Sequence, residues 1–473
     1  MRVIKNYLYN ASYQLLAIIL PLITSPYISR VLGPRGYGDY SFTFSIINWF
    51  TLIASIGVAY YGDRQIAYVR KDRYKMSKTF WEIQSVKFAM TLITLVIFAI
   101  FTQLYGKYYF LLWLQSVNII AGMFDISWLY VGIEDFKRTV TRNTLVKLVS
   151  FISIFVFVRH AGDTWIYILI NAFSLLLGNL TLWPTLKRLL VPVNVKDLRP
   201  LKHLKESIVL FIPSVATKLY STLNKTVVGV VVGATATGFY NNSDQIVQAI
   251  LAIVTATGTV ILPKASNEFA KGNHEKVKEI LYRSFDFVSL IAIPMAFGLA
   301  AISLKLAPFF YGRKFAPVGP VMMIEAINIV LIAWSNAIGI QYLLPVKRTN
   351  DFTKTLVAAA VFSTIAIYPF TKIFGLKGGM AVTVLSEAVV TSYQLYMVRH
   401  DLHFVRLFQD FFKYLISGVV MFAIVFYLNN LWTFNLFTMV IEVLIGVIVY
   451  AIMIIITRPK ILFYAKEIIK KRK

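Results

Sequence analysis

Long apolar runs, separated by short polar stretches, occupy most of the chain. A helix rises 1.5 Å per residue, so about 20 apolar residues cross the hydrocarbon core of a bilayer. The pattern therefore predicts about fourteen transmembrane helices. They fall at 11–32, 41–61, 86–102, 108–131, 144–158, 165–183, 208–232, 245–263, 286–310, 318–343, 355–374, 378–398, 414–431 and 436–456. The fifth run is short and includes Lys147, whose side chain is expected to snorkel toward the interface.

Composition leads to the same class of protein. The 473 residues are 58% hydrophobic and only 15% charged, whereas soluble domains carry roughly 25% charged residues. We therefore expect an all-α integral membrane protein. The chain has no cysteine, which excludes disulfides, thiolate metal sites and cysteine nucleophiles.

The distribution of basic residues predicts the topology. The net charge is +26, but the basic residues lie in short clusters between apolar runs, and no basic domain is present, so nucleic acid is not an expected partner. Lysine and arginine collect on the cytoplasmic side of membrane proteins. Fourteen spans with both termini inside place the main clusters on that side. These clusters are 64–87, 137–147, 187–205, 264–283 and 458–473.

Two sequence patterns recur in order and indicate an internal repeat. Gly33, Gly38 and Tyr40 follow the first span, and the same residue types follow the seventh span, 200 residues later. The tripeptide Lys-Arg-Thr occurs at 137–139 and again at 347–349. An offset of six spans preserves topology, so the halves are predicted to be parallel repeats around a central cavity, with alternating access by rocking.

The repeat divides the chain into four predicted parts: two pseudo-symmetric six-helix lobes, a linker, and two further helices. The N-terminal lobe is 1–190, the cytoplasmic linker 191–206 and the C-terminal lobe 207–400. Residues 401–473 hold spans thirteen and fourteen and a basic cytoplasmic tail.

Two lysines within the seventh span are candidate substrate-binding residues. Lys218 and Lys225 are seven residues apart, so they project from nearly the same helix face. A charge at membrane depth is costly and indicates function, and two ammonium groups on one stripe would attract an anion such as pyrophosphate. Alternatively, Lys225 snorkels outward and Lys218 pairs with an acid from another helix.

Two arginines and two acids complete the candidate site. Arg30 ends the first span and Arg64 opens the first inward loop, so each either lines a cavity mouth or anchors its helix at the interface. Asp125 and Glu325 lie on the equivalent fourth and tenth spans. Each is a candidate for coupling to H⁺ or Na⁺, or for neutralising Lys218.

Motifs for catalysis or cofactors are not found in the sequence. The five histidines lie at span ends or in loops, and none pairs at metal-ligand spacing. No Gly-x-x-x-x-Gly-Lys phosphate loop is present, so ATP is not expected as the direct fuel. We therefore predict no catalytic residue, metal or cofactor, and a transporter rather than an enzyme.

Several stretches resemble the Wzx-type polysaccharide repeat-unit flippases of the multidrug/oligosaccharidyl-lipid/polysaccharide (MOP) exporter superfamily. The resemblance covers essentially the whole chain and is most specific between Asp125 and Lys137. Gln65 stands where an acid is common in that family, so no coupling role is expected there. The matching stretches are 26–40, 61–67, 124–137, 238–240 and 262–263.

The resemblance implies an undecaprenyl-pyrophosphate-linked oligosaccharide as substrate, carried from the inner to the outer leaflet of a bacterial cytoplasmic membrane. It also implies membrane lipids as partners, a cationic cavity between two lobes, and an ion gradient or membrane potential as fuel. The two helices beyond twelve are similar to the lipid-binding additions of lipid II flippases, so that substrate stays open. A drug or cation antiporter of the same superfamily is a further alternative, although its substrates would favour acids in the cavity. A polysaccharide polymerase or sugar transferase would need a large external loop or an acidic metal motif.

Overall fold

Helices make up the regular structure of this protein. The computed structural model describes residues 2–462, and no strand occurs in that part of the chain. The predicted all-α membrane class is confirmed. The α-helices are α1 (Arg2–Ser55), α2 (Val58–Val69), α3 (Arg73–Tyr105), α4 (Tyr109–Met123), α5 (Ser127–Gly132), α6 (Phe136–Phe157), α7 (Thr164–Leu180), α8 (Leu186–Leu189), α9 (Leu204–Val231), α10 (Ala234–Ala270), α11 (His274–Tyr311), α12 (Val318–Glu325), α13 (Ile327–Ser335), α14 (Thr349–Val398), α15 (Phe404–Leu407), α16 (Phe411–Leu431) and α17 (Leu436–Thr457).

The helices account for about fourteen membrane crossings. Among the described residues, 11 helical segments are long and apolar enough to span a bilayer. Two of these, α1 and α14, are pairs of helices joined across a glycine with non-helical dihedral angles, Gly33 (φ 68°) and Gly375 (φ 58°). Each bent helix therefore supplies two crossings, and the 28-residue α9 supplies a further one. The predicted number of spans is confirmed.

The repeated glycines explain how each half turns back into the membrane. Gly33 has φ 68° inside α1, and Gly233 has φ 123° at the start of α10. A Cβ at either position would meet no atom within 4 Å. Glycine is therefore required here by backbone conformation, because positive φ is unfavourable for residues with a Cβ, and not by lack of space.

Three predicted span boundaries differ from the structure. The second span ends at Ser55 rather than 61, because Gly57 takes a left-handed conformation (φ 73°) before α2. The fourth span is interrupted between α4 and α5, at the position of Asp125. The fifth span is α6, which has 22 residues. The span is therefore not short, and the Lys147 side chain lines a cavity of unit 1; the snorkelling of Lys147 stays a prediction.

The chain divides into two compact units, Met1–Gly229 and Val230–Lys473, called unit 1 and unit 2. α9 is grouped with unit 1, through Trp49 and Ser45 of α1. The Trp49 indole N–H lies 3.1 Å from the Thr226 hydroxyl oxygen, and Thr226 in turn donates to Ser45 Oγ at 3.1 Å. The four domain boundaries expected from the sequence stay predictions.

Unit 1 contains an aromatic core where α2, α3 and α5 meet. Phe80 stacks on Trp128 with ring centroids 5.3 Å apart, and Tyr61 and Tyr130 are buried in the same cluster. Gly62 lies against Trp128 so closely that a Cβ there would approach the indole to 2.5 Å. The glycine allows this close packing, which holds the short α2 and α5 against the longer α3.

In unit 2, Lys305 fastens the end of α16. Its ammonium group donates to the main-chain carbonyls of Asn429, Asn430 (3.3 Å) and Trp432 (2.9 Å). These carbonyls lie at the C-terminus of the helix, where the helix dipole favours a cation. The Asn429 side-chain amide also donates to the buried Glu442 of α17 at 2.9 Å. Lys305 therefore ties α11 to the last two helices.

We expect Lys305→Met to loosen this junction. The change removes a charge-assisted set of hydrogen bonds worth about 1.5–3 kcal/mol, so the apparent melting temperature of the protein in nanodiscs should fall by several degrees. Lys314→Met is the matched control, because Lys314 is exposed. An unchanged melting temperature for Lys305→Met would contradict this role.

Candidate functional site

The two candidate lysines of the seventh span lie on α9. Lys218 is exposed and Lys225 is partly exposed. Lys225 precedes Thr226, whose hydroxyl contacts α1 of the same unit. The predicted role of the two lysines as a pair of anion-binding groups in a shared cavity stays a prediction.

The two candidate arginines are both exposed on unit 1. The Arg64 guanidinium pairs with Glu206 at 3.3 Å and lies 5.8 Å from the centre of the Tyr61 ring. Arg64 therefore joins α2 to the start of α9. Arg30 precedes Gly33 and the bend in α1. A cavity-lining role for either arginine stays a prediction.

Asp125 lies at the break between α4 and α5, and its surroundings include a buried lysine. Its carboxylate accepts the main-chain N–H of Ser127, the first residue of α5, at 2.9 Å. The buried Lys87 of α3 donates its ammonium to the main-chain carbonyl of Asp125. The sequence assigns Lys87 to the inward basic cluster but does not reveal this contact, because helix periodicity does not identify neighbours on other helices.

Glu325 is the last residue of α12 in unit 2. It is 1% exposed and accepts a hydrogen bond from the Ser243 hydroxyl of α10. The carboxyl group is therefore held inside a helical unit. An ion-coupling role for Asp125 or Glu325 stays a prediction.

A polar cluster not predicted from the sequence fixes the segment that precedes α9. We call it the Glu82 clamp: Tyr61, Glu82, Arg199, Lys202 and His203. The fully buried Glu82 carboxylate lies 2.7 Å from the Lys202 ammonium and 2.9 Å from His203 Nε2, and it accepts the Arg199 main-chain N–H at 2.9 Å. His203 Nδ1 lies 2.7 Å from the Tyr61 hydroxyl. The clamp thus attaches the predicted linker to α2 and α3.

Unit 2 contains a basic pocket of about 520 Å³ between α10 and α11. Three cationic side chains line it: Lys264, Lys276 and Arg283. Glu279 lies 2.9 Å from the Arg283 side chain. Lys264 has no ion pair among the described residues. Lys276 pairs with Glu268 at 3.1 Å. Two acids therefore pair with two of the three cations, and the remaining positive charge suits an anion with several oxygen atoms.

An apolar groove of about 610 Å³ lies further along the same two helices, against α16 and α17. Aliphatic residues and methionines form most of its wall, and Gly298 and Gly446 also line it. The groove therefore has the lining expected for a hydrocarbon chain.

The basic pocket and the apolar groove lie along the same helix faces. On α10, Ile246 and Ile250 line the groove, and Thr257, Ile261 and Lys264 line the basic pocket. These residues follow one another at helical spacing, so they share one stripe of the helix. A corresponding stripe on α11 runs through Lys276, Ile280, Arg283, Phe287, Leu290, Pro294 and Gly298. We call this combined surface the amphiphile track.

A bundle of about fourteen membrane-spanning helices, with an internal repeat and a surface shaped for an amphiphile, belongs to the class of polytopic membrane transporters. The fold is similar to that of the lipid II flippase MurJ in an inward closed conformation, with a TM-score of 0.80 and 16% identity over 98% of this chain and 100% of that one. It is also similar to an inward-facing multidrug transporter of the MATE family in the MOP superfamily, with a TM-score of 0.58 and 13% identity over 81% of this chain and 98% of that one.

Sequence comparison gives the family. The family model described as "Polysaccharide biosynthesis protein" matches residues 3–269, and the chain belongs to that family. A relative in Escherichia coli (strain K12), named for O-antigen transport, is 26% identical over 404 residues, which cover 84% of this chain and 97% of the relative. The predicted resemblance to the polysaccharide flippases of the MOP superfamily is confirmed.

The Glu82 clamp predicts a pH dependence of stability. Burial lowers the pKa of His203 below its ordinary 6.5, although the hydrogen bond to Glu82 opposes this effect. Below pH 6.5 the unfolded chain therefore binds a proton at His203 more readily than the folded protein. Stability should fall on acidification from pH 6.5, by at most about 1.4 kcal/mol per pH unit, and should not change through this group above that pH.

Melting temperatures of the purified protein between pH 5 and 8 test this expectation. In His203→Gln the side chain keeps hydrogen-bonding capacity but does not titrate, so the loss below pH 6.5 should become smaller. His400→Gln, at an exposed position, should leave the profile unchanged. A His203→Gln profile that matches wild type would refute the assignment.

Proposed function

We propose that this protein is a flippase that carries undecaprenyl-pyrophosphate-linked oligosaccharide repeat units from the inner to the outer leaflet of the bacterial cytoplasmic membrane. The observation that carries the proposal is the amphiphile track, in a chain that belongs to the polysaccharide biosynthesis protein family. The two chemical parts of the substrate match the two parts of the track. The charged pyrophosphate suits the basic pocket, and the long hydrocarbon chain suits the apolar groove.

The pyrophosphate would bind at the basic pocket. The pyrophosphate carries about two negative charges, and moving them unpaired into hydrocarbon costs several kcal/mol of free energy. Lys264, Lys276 and Arg283 offer charge-assisted hydrogen bonds there. In the predicted topology, with both termini in the cytoplasm, this pocket would lie at the inner leaflet, where the substrate would be loaded.

The prenyl chain would follow the apolar groove. Lipid already solvates such a chain, so the groove contributes by packing rather than by the hydrophobic effect. The pocket and the groove follow the same stripes of α10 and α11, so one molecule could occupy both. In this arrangement the oligosaccharide would contact parts of the protein other than the pocket and the groove.

Transport itself would proceed by alternating access of the two repeats, driven by an ion gradient or the membrane potential. Lys218, Lys225, Arg30 and Arg64 are the further cations proposed for the pyrophosphate path. Asp125 and Glu325 are the groups proposed for coupling to H⁺ or Na⁺.

Two related functions are distinguished by substrate. A lipid II flippase would fit the same track, because lipid II also carries a prenyl pyrophosphate, and the fold likeness to MurJ favours it as the second candidate. The antiporter alternative is weaker, since a pocket with three cationic side chains disfavours cationic drugs.

Depletion of the protein in cells that assemble a surface polysaccharide tests the proposal. Lipid-linked repeat units should accumulate on the inner leaflet, as measured by their accessibility in inside-out vesicles. If the inner-leaflet pool and polymer output stayed normal while drug sensitivity rose, the antiporter would be the better assignment. Arrest of peptidoglycan synthesis instead would favour lipid II.

The double variant Lys264→Gln/Arg283→Gln tests the basic pocket. Loss of two charge-assisted hydrogen bonds should reduce repeat-unit export at least about tenfold at normal expression. Arg313→Gln/Lys314→Gln makes the same charge change at exposed positions of unit 2, and its export should match wild type. Equal export by both double variants would remove the basic pocket from the transport path.

A further inference from the structure

A second cavity, of about 320 Å³, lies inside unit 1 and is bounded by α1, α4, α6 and α7. Its volume is at the lower end of the range for small-molecule sites. Polar side chains project into it from all four helices. They include Thr24, Asn118, Asn143, Lys147, Ser150 and Asn171. Polar side chains that face a cavity between membrane-spanning helices are costly and indicate a ligand.

Lys147 sets the charge that the cavity accepts. Of the described lining residues, it alone carries a formal charge. An ammonium group at this depth repels cations and favours a ligand with a negative charge. A single lysine balances one negative charge, so a monoanion fits better than a phosphate dianion.

The hydroxyl and amide groups favour a ligand with hydroxyl groups. Thr24, Ser150 and Asn171 each donate to a main-chain carbonyl one turn back, at 3.0, 2.8 and 2.8 Å. Their side-chain oxygens keep lone pairs that accept hydrogen bonds from a ligand. Such acceptors bind hydroxyl hydrogens but repel a halide ion, and the cavity is also too large for one ion.

Asn143 and three aromatic rings complete the lining. The Asn143 amide has no hydrogen-bond partner among the described residues, so both its donor and its acceptor are available to a ligand. Tyr40, Phe44 and Phe151 add aromatic surface. Aromatic surface beside convergent polar groups suits a sugar ring, which has apolar C–H faces and a polar edge.

We propose that this cavity binds a monosaccharide that carries one carboxylate, with the carboxylate at Lys147 and the hydroxyls at the amide and hydroxyl side chains. The ligand is a hexuronate, either free or as a residue of the translocated glycan. The inference rests on the proposed function only for this second source.

Binding to the purified protein in nanodiscs tests the site without transport. Calorimetric titration with sodium glucuronate should show saturable binding, at least about tenfold tighter than with glucose, because the carboxylate adds a charge-assisted hydrogen bond. Acetate should bind more weakly than glucuronate, since it lacks the hydroxyls. Absence of saturable glucuronate binding, or equal affinity for glucose, would overturn the proposal.

Variants locate the binding. Lys147→Gln should weaken glucuronate binding about tenfold or more, and Lys137→Gln, the same change at an exposed position of the same helix, should have no effect. Asn143→Ala removes no hydrogen bond seen in the described protein, so it should fold normally and weaken binding severalfold. It decides the matter if Lys147→Gln fails to fold. Unchanged affinity in a folded variant at either position would overturn the proposal.

Two bacterial strains, one with a uronic acid in its repeat unit and one with neutral sugars only, identify the source of the ligand. If Lys147→Gln reduces export only in the first strain, the ligand is a residue of the glycan. If Lys147→Gln exports repeat units as well as the wild-type protein in both strains, the site is assigned to free hexuronate. If the wild-type protein supports export in neither strain, the proposed function fails, whereas the binding measurements stand.

Discussion

The cost of placing charged and hydrogen-bonding groups in hydrocarbon governs this structure. Lipid offers such groups no partners, so the protein must supply them. Lys87 donates to a main-chain carbonyl at the interruption between α4 and α5, and Lys305 donates to the carbonyls at the end of α16. In both cases a lysine satisfies carbonyl groups that a helix end leaves unpaired. These two lysines therefore also satisfy the hydrogen bonding of the backbone.

The same constraint gives meaning to the polar surfaces that remain. Helical periodicity keeps one stripe of α10 and one of α11 facing the same way over many turns. The polar residues occur at one end of these stripes and the apolar residues at the other. A ligand with a charged end and a long apolar part matches that division. The cavity of unit 1 differs in kind, because its polar groups come from four helices and face one cavity.

Much of the fold could be predicted from the sequence. The apolar runs locate the spans because burial in lipid needs about 20 apolar residues each, and the repeated glycines mark bends because they adopt positive φ. Boundaries were less predictable, as at Gly57, where a left-handed residue ends the second span early. Lys218 and Glu325 could be singled out as charges within spans, but not assigned partners.

The interactions between helices could not be predicted from one sequence. Glu82 and His203 are 121 residues apart, and nothing in either local pattern indicates that they meet. Lys147 was expected to reach the membrane interface because its span looked short. In the structure that helix has 22 residues, and the Lys147 side chain lines a cavity of unit 1. Periodicity identifies the faces of a helix but not what lies against each face.

The Glu82 clamp holds the linker between the two halves in a fixed position. The predicted linker, 191–206, contains two prolines and many polar residues, a composition typical of a flexible connection. Yet Arg199, Lys202 and His203 are fastened to a buried carboxylate of α3. The linker is therefore an ordered part of unit 1. To produce the two halves as separate fragments, the chain should be cut after this segment. A cut before it would remove the partners of Glu82 and leave its buried carboxylate unpaired in apolar surroundings.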